Sequence, residues 1–238
     1  MGTSKGYSPP TGYLWSSVKR TVTSMINNNC NSESVGRAIG KYVQATKQGN
    51  GGLRENKNQL VASTGAKALN FFNYAQKYGL NESLREAGLQ NLIGKSNEEI
   101  YSGLLDYFTE IGSSLNESIV RDSMAEVMKD IFLDKEDQNF DEIFNSLNMN
   151  NFIKNLIVKF VQKDFITNFS EKIEAKCDNL DEYIKIEKDI KEFISSEIDL
   201  NYKAEDLNKI DWSGTEGREF INKKTNEVLE IFEMYLEE

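Results

Sequence analysis

The chain contains no histidine. That removes the side chain that most often works as general base near neutral pH, and with it serine-type triads and most zinc sites. Cys30 and Cys177 are the only cysteines, lie in different halves, and have no partners at metal-ligand spacing. A thiolate metal cluster is therefore excluded, and two free thiols in a reducing compartment are expected. The only prolines are Pro9 and Pro10. No apolar run approaches the ~18 residues of a membrane-spanning helix. Met1–Trp15 lacks the apolar core of a signal peptide. The expectation is a cytoplasmic protein with no membrane contact. Carboxylates are plentiful, but they fall on faces expected to be solvated. No catalytic residue, metal ligand or cofactor is assigned, and the chain is read as a non-enzyme.

Strand-like alternation is missing too, and helical spacing fills most of what is there. The expected fold is all-α, a helical bundle with a flexible N-terminal arm and long amphipathic C-terminal helices. Its expected divisions are the arm over 1–12, a helical domain over 13–148, and an acidic helical bundle or coil over 149–238. The arm holds both prolines, Gly2, Gly6, Gly12 and no acid. Loss of Met1 is expected because Gly2 is small, and it leaves a free glycine amine. Pro9-Pro10 push Ser8 towards an extended conformation. A frayed terminus and an end presented to a partner both fit. The myristoylation pattern fails, because Gly6 stands where Ser or Thr is needed.

Charge is unevenly spread. Residues 1–80 hold ten basic residues against Glu33 and Glu55, a net of +8, whereas the whole chain is -10. The rest therefore carries -18. A basic third could face nucleic acid, an acidic protein, or the acidic remainder of its own chain. The candidate contacts for phosphate or a partner are Lys19, Arg20, Arg37, Lys41, Arg54 and Lys57.

Along the chain, apolar spacing predicts a helix over Tyr13–Asn27 and a second capped by Ser34. Gly36 and Gly40, four apart, predict close helix packing. Gln48–Asn58 reads as a polar, glycine-rich connection, and Gln59–Tyr78 as the third helix. A short helix capped by Asn81 follows. Gly94-Lys95-Ser96 imitates the end of a phosphate-binding loop, but Leu89 replaces the required glycine and no strand precedes it. Ser96 and Glu99 instead predict a capping box for a helix running to about Glu110. Asn116 is expected to start the next helix. Asp137, Asn139 and Asp141 imitate the first calcium ligands of an EF-hand, but Glu142 occupies the glycine position and Asn148 the bidentate glutamate position. A loop with Asp141 as helix cap is expected there. Asn150–Lys176, Leu180–Ile198 and Thr215–Leu236 read as long amphipathic helices, joined by a looser Asp199–Gly214. In the second of these, Tyr183, Ile184, Ile190, Phe193, Ile194 and Ile198 form the expected core stripe.

Met1-Gly2-Thr3-Ser4, followed by glycine and proline and then Trp15 at the opening of a helix, resembles the QatB family. These are the B components of the four-gene Qat anti-phage defence systems of bacteria. The similarity continues through Gly40-Lys41-Tyr42-Val43, Gly51-Gly52, Ser63, Ala68-Leu69-Asn70-Phe71 and the Leu89–Gly94 turn. It covers roughly residues 1–132, and the last hundred residues carry no family feature. Two departures stand out. The family's Pro-Leu-x-Pro-x-Trp pattern is shortened here to Pro9–Trp15, and Glu55 enters a segment that is arginine-rich in the family.

The resemblance implies a non-enzymatic component. The implied partners are an ATPase (QatA-like), a QueC-like enzyme (QatC-like) and a TatD-like nuclease (QatD-like). It further implies that the QueC-like enzyme attaches a 7-deazaguanine to an N-terminal glycine. Gly2 would be the acceptor, and Thr3 and Ser4 are small enough to follow it into a narrow channel. The alternatives are a nucleic-acid-binding module built on the basic third, or a generic helical adaptor.

Overall fold

A computed structural model describes residues 12–49, 53–109, 114–132 and 139–237. The arm expected over 1–12, including Gly2, Thr3 and Ser4, lies outside them apart from Gly12. The described residues form ten α-helices and no strand. They are α1 (Tyr13–Asn27), α2 (Ser32–Gln48), α3 (Leu53–Tyr78), α4 (Leu80–Glu86) and α5 (Asn97–Phe108). Then come α6 (Leu115–Phe132), α7 (Phe140–Ser146), α8 (Met149–Glu174), α9 (Leu180–Asn201) and α10 (Thr215–Glu233). No helix among them is long and apolar enough to cross a membrane. The all-α expectation holds.

The helix starts differ from expectation where a different side chain wins the first free amides. Asn31, not Ser34, caps α2, accepting the Ser34 amide at 2.9 Å. Helix α3 begins at Leu53 rather than Gln59, so much of the expected connection is helical. Helix α4 starts at Leu80 without a cap of its own, and the Leu80 amide donates to Asp141 Oδ1 at 2.7 Å. Asp141 therefore serves another helix, and Asn139 caps α7. Ser114 and Glu117 exchange bonds at the start of α6, where Asn116 was expected to begin it. The Ser96–Glu99 capping box of α5 is present as expected. In each case a short polar side chain satisfies amides that have no partner within the helix.

The chain divides into two compact units interleaved in sequence. One comprises Met1–Asn56, Val161–Tyr202 and Asn226–Glu238, and the other Lys57–Phe160 and Lys203–Thr225. This grouping is spatial and differs from the sequential division at 148/149 drawn from composition. Helices α3, α8 and α10 each contribute residues to both.

In the first unit Val18, Val22, Met25, Val35, Ile39, Ile190, Ile194, Ile198 and Phe232 are buried completely. Here Gly36 and Gly40 do what their spacing predicts. A β-carbon at Gly36 would strike the ring of Tyr235, and one at Gly40 would strike the backbone carbonyl of Phe232. The last turn of the chain thus lies directly on the backbone of α2. Ile186 replaces Ile184 in the α9 core stripe, and Ile184 is 53% exposed.

In the second unit the core is aromatic. Phe72 meets Phe108, Phe132, Phe144 and Phe152 with ring centroids 5.1–6.0 Å apart. Such edge and tilted contacts add to the area that the rings bury. Gly65 on α3 lies against Leu156 and Ile221. Gln76 Nε2 donates to the Phe144 and Leu147 carbonyls, which closes the end of α7.

The two α2 glycines should respond differently to alanine. A helix-interior alanine gains about 1 kcal/mol of propensity over glycine. At Gly40 the obstacle is backbone, so overpacking should dominate and Gly40→Ala should lower stability by about 1–3 kcal/mol. At Gly36 the obstacle is a side chain close to the end of the chain, so Gly36→Ala should cost less than Gly40→Ala. Urea unfolding of both variants checks the order.

Candidate functional site

The first unit holds a buried polar set on an otherwise apolar seam. Tyr42 on α2 donates to Asp164 Oδ2 at 2.7 Å. Asn168, one turn along α8, donates to Tyr42 Oη at 3.0 Å, to Asp164 Oδ1 at 3.1 Å and to the Asp164 carbonyl. Trp15, Phe165 and Phe169 pack edge-on around the Tyr42 ring. The sequence did carry a signal for this set. Asp164 and Asn168 sit in the register of Phe160, Val161, Phe165 and Phe169, where a polar residue is unexpected. The set is an acid, a phenol and an amide that satisfy one another within an aromatic seam. What the geometry provides is a polar lock between α2 and α8.

All six cations singled out from the sequence are among the described residues. Arg37 pairs with Glu33 one turn before it, and Lys41 donates to Gln44. Lys19 is half-buried and Arg20 exposed, both on α1. Arg54 is buried, with Nη1 3.2 Å from Glu233 Oε1 and Nη2 on the Asn226 carbonyl. Its Nε is buried without a hydrogen bond. Lys47 shares Glu233 at 3.2 Å. Two cations of the basic third therefore face an acid of the C-terminal helix, as the internal-pairing reading expected. Lys57 is buried as well, in the second unit.

A cleft of ligand size opens in each unit among the described residues. That of the second unit has a volume of about 400 Å³ and is dominated by polar side chains, among them Asn73, Lys77, Asn148 and Asn208. Asn150 closes its floor by exchanging bonds with both backbone groups of Glu205 at 3.0 and 3.2 Å. The Glu205 side chain pairs with Lys224, a buried cation that also donates to the Lys203 carbonyl at 3.2 Å. The hydrogen bond from Lys224 holds the Glu205 carboxyl below its ordinary 4.5. The cleft of the first unit, about 520 Å³, is lined by Glu174, Cys177, Asn179, Leu180 and Tyr183.

Both thiols are shifted away from reactivity. Burial, then the charges of Asp189 and Cys177, push Cys30 up to about 11. Cys177 is raised by desolvation and then by Glu182, Asp178 and Glu174. A thiol that keeps its proton is a poor nucleophile and a poor metal ligand. No group of three or more histidine, cysteine or acidic side chains among the described residues could hold a metal ion.

Residues 56–232 match the family described as Qat anti-phage system associated protein QatB. No curated protein and no solved structure matches the chain. The match extends far beyond residue 132, where the resemblance read from short motifs ended. It takes in α8, α9 and most of α10.

Tyr42→Phe keeps the ring contacts and deletes one donor to a buried carboxylate. It should cost about 1–3 kcal/mol in chemical unfolding. Glu205 yields a prediction in acid. Its folded value is lowered, so in the window just below 4.5 the unfolded chain binds the proton that the folded chain refuses. Stability must therefore fall as pH drops through that window. Lys224→Met should flatten this part of the profile, measured as the difference between variant and parent in urea midpoints from pH 6 to pH 3.

Proposed function

The chain belongs to the QatB family, and from that membership we propose that it is the protein substrate and scaffold of its Qat anti-phage defence system. Membership makes it a component of such a system, with other Qat components as partners. The finer reading is that Gly2, freed by loss of Met1, is presented to a QueC-like enzyme that joins a 7-deazaguanine to its amine. The helical body itself carries no reaction; it holds the acceptor and docks the ATPase and the modifying enzyme in the cytoplasm.

The family match carries membership in the Qat system, and the sequence of the arm carries the Gly2 reading. Two further points support it. Helix α1 starts at Tyr13, so Gly2 stands ten residues ahead of the first described residue, Gly12. A stretch of that length reaches about 30 Å when extended, enough to enter an enzyme channel. Three buried polar residues of the body are also engaged structurally: Asp164 by Tyr42 and Asn168, Arg54 by Glu233, and Lys224 by Glu205.

Intact mass and N-terminal peptide mapping of the chain, co-expressed with the other Qat components, test it. The expected result is an adduct on Gly2 that vanishes when the QueC-like enzyme is inactivated. Gly2→Pro should lose the adduct and the protection against phage while unfolding like the parent. A chain lacking only Met1 beside an active QueC-like enzyme, or full protection with Gly2→Pro, overturns the reading.

A further inference from the structure

The first turns of α9 depart from the buried stripe of its middle. From Ile186 to Ile198 its apolar residues Ile186, Ile190, Phe193, Ile194 and Ile198 are buried, and Leu200 in the last turn is exposed again. Before Ile186, Leu180 is 71% and Ile184 53% exposed. These two are four residues apart and therefore neighbours on one helix face. Tyr183 lies half-buried beside them, and the 520 Å³ cleft opens at this spot. An exposed pair of large aliphatic side chains at the lip of a cleft is the anatomy of an anchoring site rather than of scattered surface residues.

The charge around this patch has one dominant sign. Residues 174–187 contain Glu174, Asp178, Asp181, Glu182 and Glu187 against Lys176 and Lys185. Glu187 pairs with Lys191, and Glu182 accepts the Asp178 amide. Glu174, Asp178 and Asp181 meet no cation among the described residues. The field reaches into the cleft. Beyond desolvation, Glu187 and Glu174 raise the Tyr183 phenol, and Glu182, Asp178 and Glu174 raise the Cys177 thiol.

We propose that this face docks a basic amphipathic segment of a partner protein, with an apolar side chain seated against Leu180, Tyr183 and Ile184 and Lys or Arg set against Glu174, Asp178 and Asp181. Charge complementarity selects this occupant. A second copy approaching with the same face would bring the same carboxylates together, and like charges at close range cost several kcal/mol. An acidic segment is rejected for the same reason. The apolar contact supplies affinity, and the carboxylate rim supplies rate and choice of partner. The proposal does not depend on Gly2 and stands whether or not conjugation occurs.

Fluorescence anisotropy on the full chain tests it. The probes are two labelled helical peptides of identical length, one built of leucine and lysine and the other of leucine and glutamate. The leucine–lysine peptide should bind and weaken with added salt. The leucine–glutamate peptide should not bind. Leu180→Ser with Ile184→Ser should weaken binding by roughly tenfold or more, about 1.4 kcal/mol. Asp178→Lys with Asp181→Lys should do the same. Leu200→Ser, which alters another exposed leucine of α9, should leave affinity unchanged. Circular dichroism confirms that each variant is folded, as expected for exposed positions. The proposal is overturned by any of four results: no binding of the leucine–lysine peptide, equal binding of both peptides, an affinity loss below tenfold in Leu180→Ser with Ile184→Ser, or self-association of the parent chain that this double variant abolishes.

Discussion

The first unit depends on how closely the chain's last turn can approach its second helix. Gly36 and Gly40 leave that face of α2 without side chains, and Tyr235, Phe232 and Leu236 fill the space. Dispersion attraction falls steeply with distance, so removing two β-carbons lets a whole row of contacts form at optimal separation. Once the end of α10 is seated there, Glu233 comes within reach of Lys47 and Arg54. An acid thus meets two cations that begin some 180 residues away in sequence. Part of the charge asymmetry between the ends of the chain is therefore internal electrostatics, and only the remainder is left for partners.

The opposite face of α2 solves another problem. It must meet α8, whose seam contains Asp164 and Asn168 among phenylalanines. A buried carboxylate is costly unless several donors meet it. Tyr42 and Asn168 supply them, and they accept only a narrow geometry. Apolar packing alone would tolerate a slip along the helix, whereas a hydrogen bond of 2.7 Å to a carboxylate does not. The glycine contact sets how near α2 lies to the C-terminal turn, and the polar set fixes its register against α8.

Helix existence was legible in the sequence because periodicity integrates over many residues. Tyr13–Asn27 was predicted to the residue, and the three long C-terminal helices to within a few. Starts were less legible, because a cap is decided by one side chain among several candidates. Asn31 and Ser34 both qualify locally, and the backbone at Asn31 is the one that is extended. Asp141 looked like the cap of its own helix, but Leu80 sits 61 residues earlier and claims it. No local pattern contains that information. Ile184 was misplaced for a related reason. Its spacing fits a core stripe as well as that of Ile186, and only the three-dimensional neighbours of α9 decide between them. Of the candidate cations, sequence could mark the type but not the burial of Arg54 and Lys57.

Gly2 and the exposed face of α9 lie in different parts of the chain. Gly2 lies outside the region that matches the family, whereas Leu180, Tyr183 and Ile184 lie inside it. A conjugation acceptor needs only a free amine, small neighbours and enough chain to reach an active site. Such requirements leave almost no imprint on a folded body, which is why the arm had to be read from sequence. A docking face is the reverse. It needs apolar area held at a fixed position, and α9 supplies this by leaving its first turns uncovered while Ile186 to Ile198 anchor its middle. Substrate presentation and partner docking then become separable physical tasks. A docked enzyme would raise the effective concentration of the tethered glycine near its active site without any new contact to the arm. The acidic rim would act earlier still, by guiding a basic partner to the face before the apolar side chains meet.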